Sequence, residues 1–97
     1  MIIGRVTKQP AEVESYTDDL SQDLDVGETV TNATAAVYGA DALLTVPAIS
    51  FTATAVKFFA AGGTDQVPYS AELTITTSTG RVLVDEVVIQ AAKVVAP

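Results

Sequence analysis

The stretch YSAELTITT, from Tyr69 to Thr77, alternates apolar and polar side chains. Its apolar residues recur at every second position, so a β-strand would place them on one face. The next segment, STG, ends at Gly80, which can adopt the positive φ that a tight hairpin turn requires. Arg81–Gln90 is then expected to return as the partner strand. The two segments predict an antiparallel hairpin with one face turned toward a core.

The partner strand is less regular, because apolar residues occur at both parities, with Val82, Val84 and Val88 at one and Leu83, Val87 and Ile89 at the other. Asp85 and Glu86 interrupt it, and adjacent residues of a strand point to opposite faces, so these two carboxylates are not expected to form a catalytic dyad. A bulge near Asp85–Glu86, or burial of the strand on both faces, would explain the mixed pattern.

The chain upstream of this hairpin contains many threonine, valine, isoleucine, tyrosine and phenylalanine residues, which suit a pleated, half-buried surface. Three further strands are predicted, at Thr29–Tyr38, Ala42–Val46 and Ile49–Ala60. Pro47 is expected to end the second of them. Residues 1–8 are interpreted as an N-terminal strand or arm, and residues 92–97 as a C-terminal tail that would dock on a neighbouring protein.

Residues 10–28 contain seven of the twelve acidic residues and no cation. We interpret them as an acidic loop region with at most one helical turn. Asp19, Asp23, Asp25 and Glu28 are oxygen ligands of the kind that calcium prefers, but their spacing lacks the D-x-D-x-D-G run of an EF-hand. A solvated acidic face, which could meet a basic partner, is therefore favoured over a metal site.

Six to seven short strands in a single domain spanning residues 1–97 predict an all-β fold, a small antiparallel immunoglobulin-like β-sandwich. Tyr69 precedes Ala71 by two residues at the start of the penultimate strand. Immunoglobulin-like sandwiches often place a tyrosine there, with its hydroxyl bonded to backbone upstream. We therefore assign structural roles to Tyr69, Ala71 and Gly80. The alternative for Tyr69 is an ordinary half-buried strand aromatic.

The composition argues against several classes of function. The 97 residues include no cysteine, histidine or tryptophan, which removes thiolate chemistry, the usual general base and the commonest metal ligand. Five cations against twelve acids give a net charge of −7, which opposes binding to nucleic acid or to an anionic membrane. The N-terminus lacks the pattern of a signal peptide, so synthesis in the cytoplasm is expected. We predict no enzyme activity, no catalytic residue, no cofactor and no metal.

Protein–protein contact is the remaining expectation. Phe58 and Phe59 are adjacent in a strand, so one of them should face outward. Arg81 could clamp an acid or a carbonyl, or remain a solvated turn charge. The candidate interface residues are Asp18, Asp19, Asp23, Asp25, Phe58, Phe59, Arg81, Val94 and Val95.

Three segments carry a resemblance to a known group of proteins. They are KQPAEVESY (Lys8–Tyr16), GGT (residues 62–64), and YSA leading to TTSTGR (residues 69–81). Together they resemble small immunoglobulin-like proteins of the structural gene blocks of tailed bacteriophages, described as fibre or tail adaptors or accessory virion proteins. The resemblance extends from Lys8 to Ile89. This chain departs from the group in lacking an early tryptophan and in inserting residues 65–68, which leaves the docking surface undefined.

The resemblance implies a non-enzymatic structural protein of a tailed-phage virion. It would dock as an adaptor or accessory subunit on tail, head–tail or other structural proteins, in a symmetric assembly of many copies. The alternative is a capsid decoration (cement) protein that stabilises the head. A host-surface or sugar-binding module is a further alternative, which the low aromatic content of 6% opposes.

Overall fold

The computed structural model describes residues 2–93 of the chain. Seven strands make up the fold: β1 (Ile2–Lys8), β2 (Val13–Asp19), β3 (Val30–Gly39), β4 (Leu44–Phe51), β5 (Ala55–Gly62), β6 (Pro68–Thr77) and β7 (Val82–Ala91). They form a four-stranded sheet in the order β1-β7-β6-β3 and a three-stranded sheet in the order β2-β5-β4. The predicted all-β fold of six to seven strands is confirmed. Across residues 2–93 there is no helix that could cross a membrane.

The strands are antiparallel to their neighbours with one exception, since β1 runs parallel to β7 at the edge of the four-stranded sheet. The hairpin expected from the opening stretch is present. Its two strands pair from Pro68 opposite Gln90 to Thr76 opposite Val82, without a register shift. Gly80 has a φ of 87° in the turn between them.

The core lies between the two sheets, and the alternation in β6 supplies much of it. Its inward apolar residues, each at most 2% exposed, are Tyr69, Ala71, Leu73 and Ile75. The three-stranded sheet contributes Phe58, which is fully buried and whose ring centre lies 5.6 Å from that of Tyr16. Burying large aromatic and aliphatic side chains of this kind is the main source of stability in a domain this small.

The prediction that Pro47 ends a strand is wrong. β4 continues through it to Phe51. β4 is an edge strand, where the missing N–H of a proline is tolerated. A register shift between Thr45 and Ala48 locally interrupts the pairing with β5.

The chain instead turns at residues 52–54, inside the segment Ile49–Ala60 that was predicted as one strand. The N–H of Thr52 donates to the carbonyl of Ala55 at 2.9 Å and closes this turn. The turn residues are threonine and alanine, without the glycine, proline or asparagine that usually marks a reversal. For this reason the sequence pattern predicts the end of β4 and most of β5 as a single strand.

The mixed pattern of β7 is not caused by a bulge in β7 itself. β7 pairs with β6 without a register shift, and the shift in its pairing with β1, at Ile2–Gly4, comes from an extra residue in β1. Val82 and Val84 on the outer side of β7 are 61% and 45% exposed. The inward side includes Asp85, which is 5% exposed. A buried acid and exposed valines thus produce the irregular parity.

Residues 10–28 are a loop only in part. β2 occupies Val13–Asp19 and pairs with β5 over its whole length. After β2 the chain makes one turn, in which the N–H groups of Asp23 and Leu24 donate to the carbonyl of Leu20 at 2.9 and 3.1 Å. Leu20 is fully buried, so this acidic turn (residues 20–29) is anchored in the core.

Candidate functional site

The buried carboxylate of Glu28 is held by three side chains beside the β6–β7 turn. Arg81 donates from Nε to Oε2 at 3.0 Å and from Nη2 to Oε1. The hydroxyl of Thr77 donates to Oε2 at 2.6 Å, and that of Thr79 donates to the same oxygen. These donors, with Arg81 foremost, hold the pKa of Glu28 well below its usual range. Because Arg81 also donates to the carbonyl of Asp23 at 2.9 Å, the cluster fastens the acidic turn to the hairpin.

The hydroxyl of Tyr69 connects two loops at the opposite end of β6. It donates to Oδ1 of Asp41 at 2.6 Å and accepts from the backbone N–H of Thr64 at 2.9 Å. The hydroxyl of Thr64 donates to Oδ2 of Asp41 at 2.7 Å. The bond from Tyr69, followed by those from the N–H of Leu43 and from Thr64, lowers the pKa of Asp41. A charge-assisted bond from a buried phenol is a strong contact.

Lys8 is a buried cation at the end of β1, with 1% of its surface exposed. Its ammonium donates to the carbonyls of Gln9 and Gly62, both at 2.7 Å, and to that of Pro10 at 3.4 Å. Burial lowers the pKa of Lys8. Three carbonyl acceptors match the three donors of an ammonium group, so the buried charge is satisfied and links the ends of β1 and β5.

These three clusters contain residues from the segments that carry the phage-protein resemblance. Their polar groups form hydrogen bonds within the molecule in five cases: Lys8, Thr64, Tyr69, Thr77 and Arg81. These bonds connect loops to strands. A surface that binds a partner is therefore formed by other, exposed side chains.

The predicted interface residues are divided between the core and the surface. Asp18 and Phe58 are 5% and 0% exposed, so the structure places both side chains inside the protein and away from its surface. Both occupy inward positions of their strands. The half-buried Phe59 faces outward, with Nζ of Lys57 lying 5.3 Å from its ring centre.

The remaining candidates lie elsewhere. Asp19, Asp23 and Asp25 are exposed, in and next to the acidic turn. Arg81 is partly exposed, but its guanidinium is bound to Glu28. Val94 and Val95 lie outside the described residues.

The four-stranded sheet presents a solvent-facing side that we call the outer face, formed by the outward positions of β1, β7, β6 and β3. At its centre Glu72 of β6 stands directly opposite Glu86 of β7. Like charges in this arrangement repel each other. Within residues 2–93 neither glutamate forms an ion pair. The exposed large apolar residues on the same face are Ile2, Tyr38, Val82 and Val84, from 45% to 61% exposed.

A second pair of carboxyls lies inside the protein, between the sheets. Asp18 of β2 and Asp85 of β7 are each 5% exposed. The Oδ2 atom of each is buried and has no hydrogen-bond partner. Burial raises the pKa of Asp18 to about 7, and the neighbouring carboxyl of Asp85 acts in the same direction. The sequence marked Asp85 as a break in an apolar row, but no sequence signal paired it with Asp18.

A surface cavity of about 300 Å³ includes one member of this pair, Asp85, in its lining, with Asp23, Arg81, Leu83 and Val84. The cation in its lining, Arg81, is already bound to Glu28. In the part of the chain that the structure describes, no group of three or more acidic side chains is arranged to hold a metal ion.

Comparison with known protein families matches residues 8–90 to one family model, Gp77, described as podophage GP4 fiber-tail adaptor protein gp77. The matched region begins at the last residue of β1 and reaches the penultimate residue of β7. It contains the Glu28, Tyr69 and Lys8 clusters and both carboxyl pairs. No curated protein matches the sequence.

Proposed function

The chain belongs to the Gp77 family of podophage fiber-tail adaptor proteins, and from this we propose that it is a non-enzymatic structural subunit of a phage tail. The observation that carries the proposal is the extent of the match, which includes strands β2 to β6 in full. The match thus covers most of the fold and leaves out all of β1 except Lys8. The proposed role is to join other tail proteins by docking onto them.

The outer face of the four-stranded sheet is the docking surface that we propose. Large apolar side chains that are exposed on one face of a soluble protein mark a candidate interaction site. Tyr38 is 57% exposed and Val84 45% exposed, and they lie on either side of the row that contains Glu72 and Glu86. A patch with an apolar border and a charged centre can bury area and select its partner at the same time.

The partner that fits this face presents an arginine or lysine between apolar side chains. A cation placed between Glu72 and Glu86 would replace repulsion by attraction, and the apolar border would exclude water from the contact. The net charge of −7 supports a basic partner in general, because complementary charge speeds association. Arg5, on the same face beside Val88, forms no ion pair within residues 2–93.

The acidic turn is the second contact region that we propose. Its exposed carboxylates Asp23 and Asp25, with Asp19 just before it, lie at one end of the molecule beside the fully exposed Val26. Phe59 is the corresponding candidate on the outward side of the three-stranded sheet. Contact regions on different sides of one subunit are what an adaptor in a symmetric, multi-copy assembly would need.

Localisation on intact particles tests the role. Immunogold electron microscopy with an antibody to this chain, together with mass spectrometry of purified particles, is the direct experiment. We expect gold at the tail and a fixed number of copies per particle. Gold distributed over the head would contradict the adaptor role and indicate a capsid decoration protein. Absence of the chain from purified particles would overturn the virion role altogether.

A further inference from the structure

Asp18 and Asp85 come from different sheets and meet inside the molecule. Asp18 pairs with Val56 in the three-stranded sheet, and Asp85 pairs with Leu73 in the four-stranded sheet. Both of these apolar neighbours are fully buried. The two carboxyls interact with each other beside these apolar side chains, where a buried polar atom without a hydrogen bond costs free energy.

Two ionised carboxylates are not stable in such a place. Each would lose hydration and each would repel the other, as in sites where two acids share one proton. The Oδ2 atoms of both residues also lack a hydrogen-bond partner. A protonated carboxyl can donate to an ionised one, and the resulting bond between oxygens is short and strong.

No charged group around the pair neutralises the two carboxyls within the described residues. Asp19 on β2 and Asp23 in the acidic turn add negative charge near Asp18. Arg81 lines the cavity beside Asp85, but it is bound to Glu28. The strands that pack on the pair, β5 and β6, turn Lys57 and Glu72 outward, away from the core.

We propose that Asp18 and Asp85 share one proton in the folded protein, and that this bond between carboxyls ties the two sheets together. The inference concerns the fold and holds whether or not the protein acts in a phage tail. Its consequence is a stability that decreases as the solution becomes less acidic. Loss of the shared proton places two negative charges face to face between the sheets and favours their separation.

The sign of the effect follows from the affinity of each state for the proton. An unfolded chain releases the proton of Asp18 near the ordinary value of 3.8, whereas the folded protein retains it to about pH 7. Stability is therefore greatest at the acid end of this interval and is lost as the pH rises through it. One proton makes the equilibrium constant for unfolding increase by up to tenfold per pH unit.

The test is the pH dependence of urea unfolding from pH 4 to pH 8 for the wild-type protein and for Asp18→Asn. The asparagine amide donates to Asp85 at every pH, so this variant should lose the decline that the wild type shows between pH 4 and pH 7. Asp25→Asn removes an exposed acid from the acidic turn and serves as the matched control, which should follow the wild type. An unchanged pH profile in Asp18→Asn would overturn the proposal.

Carbon-13 NMR of the side-chain carboxyls provides a second readout that needs no variant. We expect the Asp18 resonance to titrate with a midpoint well above 4. A midpoint near 4 for Asp18 would contradict the proposal. Calcium added at pH 8 should leave the Tm unchanged. A rise in Tm with calcium, absent in Asp18→Asn, would mean that the pair binds a cation instead of sharing a proton.

Discussion

Arg81 and Glu28 lie 53 residues apart in the sequence and meet as an ion pair at the β6–β7 turn. The side chain of Glu28 has no exposed surface, whereas that of Arg81 is 39% exposed. The exposed partner thus holds a buried one in place. The same guanidinium reaches the carbonyl of Asp23, so a single side chain connects the hairpin to the acidic turn.

Replacing Arg81 should destabilise the protein. Arg81→Ala leaves the buried Glu28 with two hydroxyl donors and the N–H of Asp25, and it removes the bond to the carbonyl of Asp23. We expect the Tm to fall by roughly 5–10 °C. Arg81→Lys keeps the charge but loses the paired donors, so its Tm should lie between those of Arg81→Ala and the wild type. Arg5→Ala removes an exposed arginine and is the control. Equal Tm values for Arg5→Ala and Arg81→Ala would contradict this role, as measured by calorimetry.

Removing the hydroxyl of Tyr69 should also destabilise the folded protein. Tyr69→Phe leaves Asp41 and the N–H of Thr64 without their shared partner, and we expect a loss of about 1–2 kcal/mol in the free energy of unfolding. Tyr38→Phe makes the same chemical change on a side chain that is 57% exposed and should change stability by less than about 0.5 kcal/mol. Urea denaturation of both variants measures the difference. Similar values for the two would show that the bonds of Tyr69 contribute nothing.

Two glycines with positive φ should respond differently to alanine. Gly80 has open space around it, so Gly80→Ala carries only backbone strain, about 1 kcal/mol. At Gly62 a Cβ would lie 2.3 Å from the carbonyl oxygen of Leu43, a backbone atom that cannot move aside alone. Gly62→Ala should therefore cost at least about 3 kcal/mol. If both variants unfold at the same urea concentration, the close approach at Gly62 is not important for stability.

The stability of the wild type should have a maximum in mildly acidic solution. Glu28 and Asp41 have lowered pKa values in the folded protein, so the stability they contribute is present above their ordinary values of 4.5 and 3.8 and is lost as the pH falls below them. The raised pKa of Asp18 acts in the opposite direction up to about pH 7. Together they place the maximum at about pH 4–5. Unfolding midpoints from pH 2.5 to pH 8 test this, and a monotonic rise toward pH 8 would be incompatible with it.

A charge reversal on the outer face should reduce incorporation into phage particles without destabilising the folded protein. Glu86→Lys converts the repulsion with Glu72 into attraction, so the isolated protein should be as stable as the wild type or slightly more stable. The same change repels a basic partner, and we expect at least a tenfold loss of incorporation into phage particles. Glu14→Lys makes the same change in charge at an exposed position of β2 and should be incorporated normally. Normal incorporation of Glu86→Lys would show that the outer face is not the docking surface.

The sequence predicts the β6–β7 hairpin well because local signals agree there: period-two alternation precedes a glycine turn. The sequence does not predict the bounds of β4 and β5, because two local features there are atypical. Pro47 normally ends strands but sits on a sheet edge, and the turn at residues 52–54 uses no turn-forming residue. Edge position is a property of the whole sheet and is not encoded in the neighbouring residues.

The candidate site illustrates the same limit. The sequence predicts that Arg81 either clamps an acid or a carbonyl or remains a solvated turn charge. In the structure Arg81 binds the carboxylate of Glu28 and the carbonyl of Asp23. The pairs Asp18–Asp85 and Glu72–Glu86 depend on strand register and on how two sheets face each other. These long-range relationships leave only an interrupted alternation in the sequence.

The burial of Lys8 determines how this protein can be mapped inside a particle. Its ammonium is enclosed by carbonyl oxygens, so amine-reactive cross-linkers will label Lys57 and Lys93 and leave Lys8 unmodified. Neither labelled lysine belongs to the outer face, and lysine cross-linking would therefore miss a contact formed there. Carbodiimide coupling to carboxylates, followed by mass spectrometry, would instead report Glu72 and Glu86 as protected once a partner covers them.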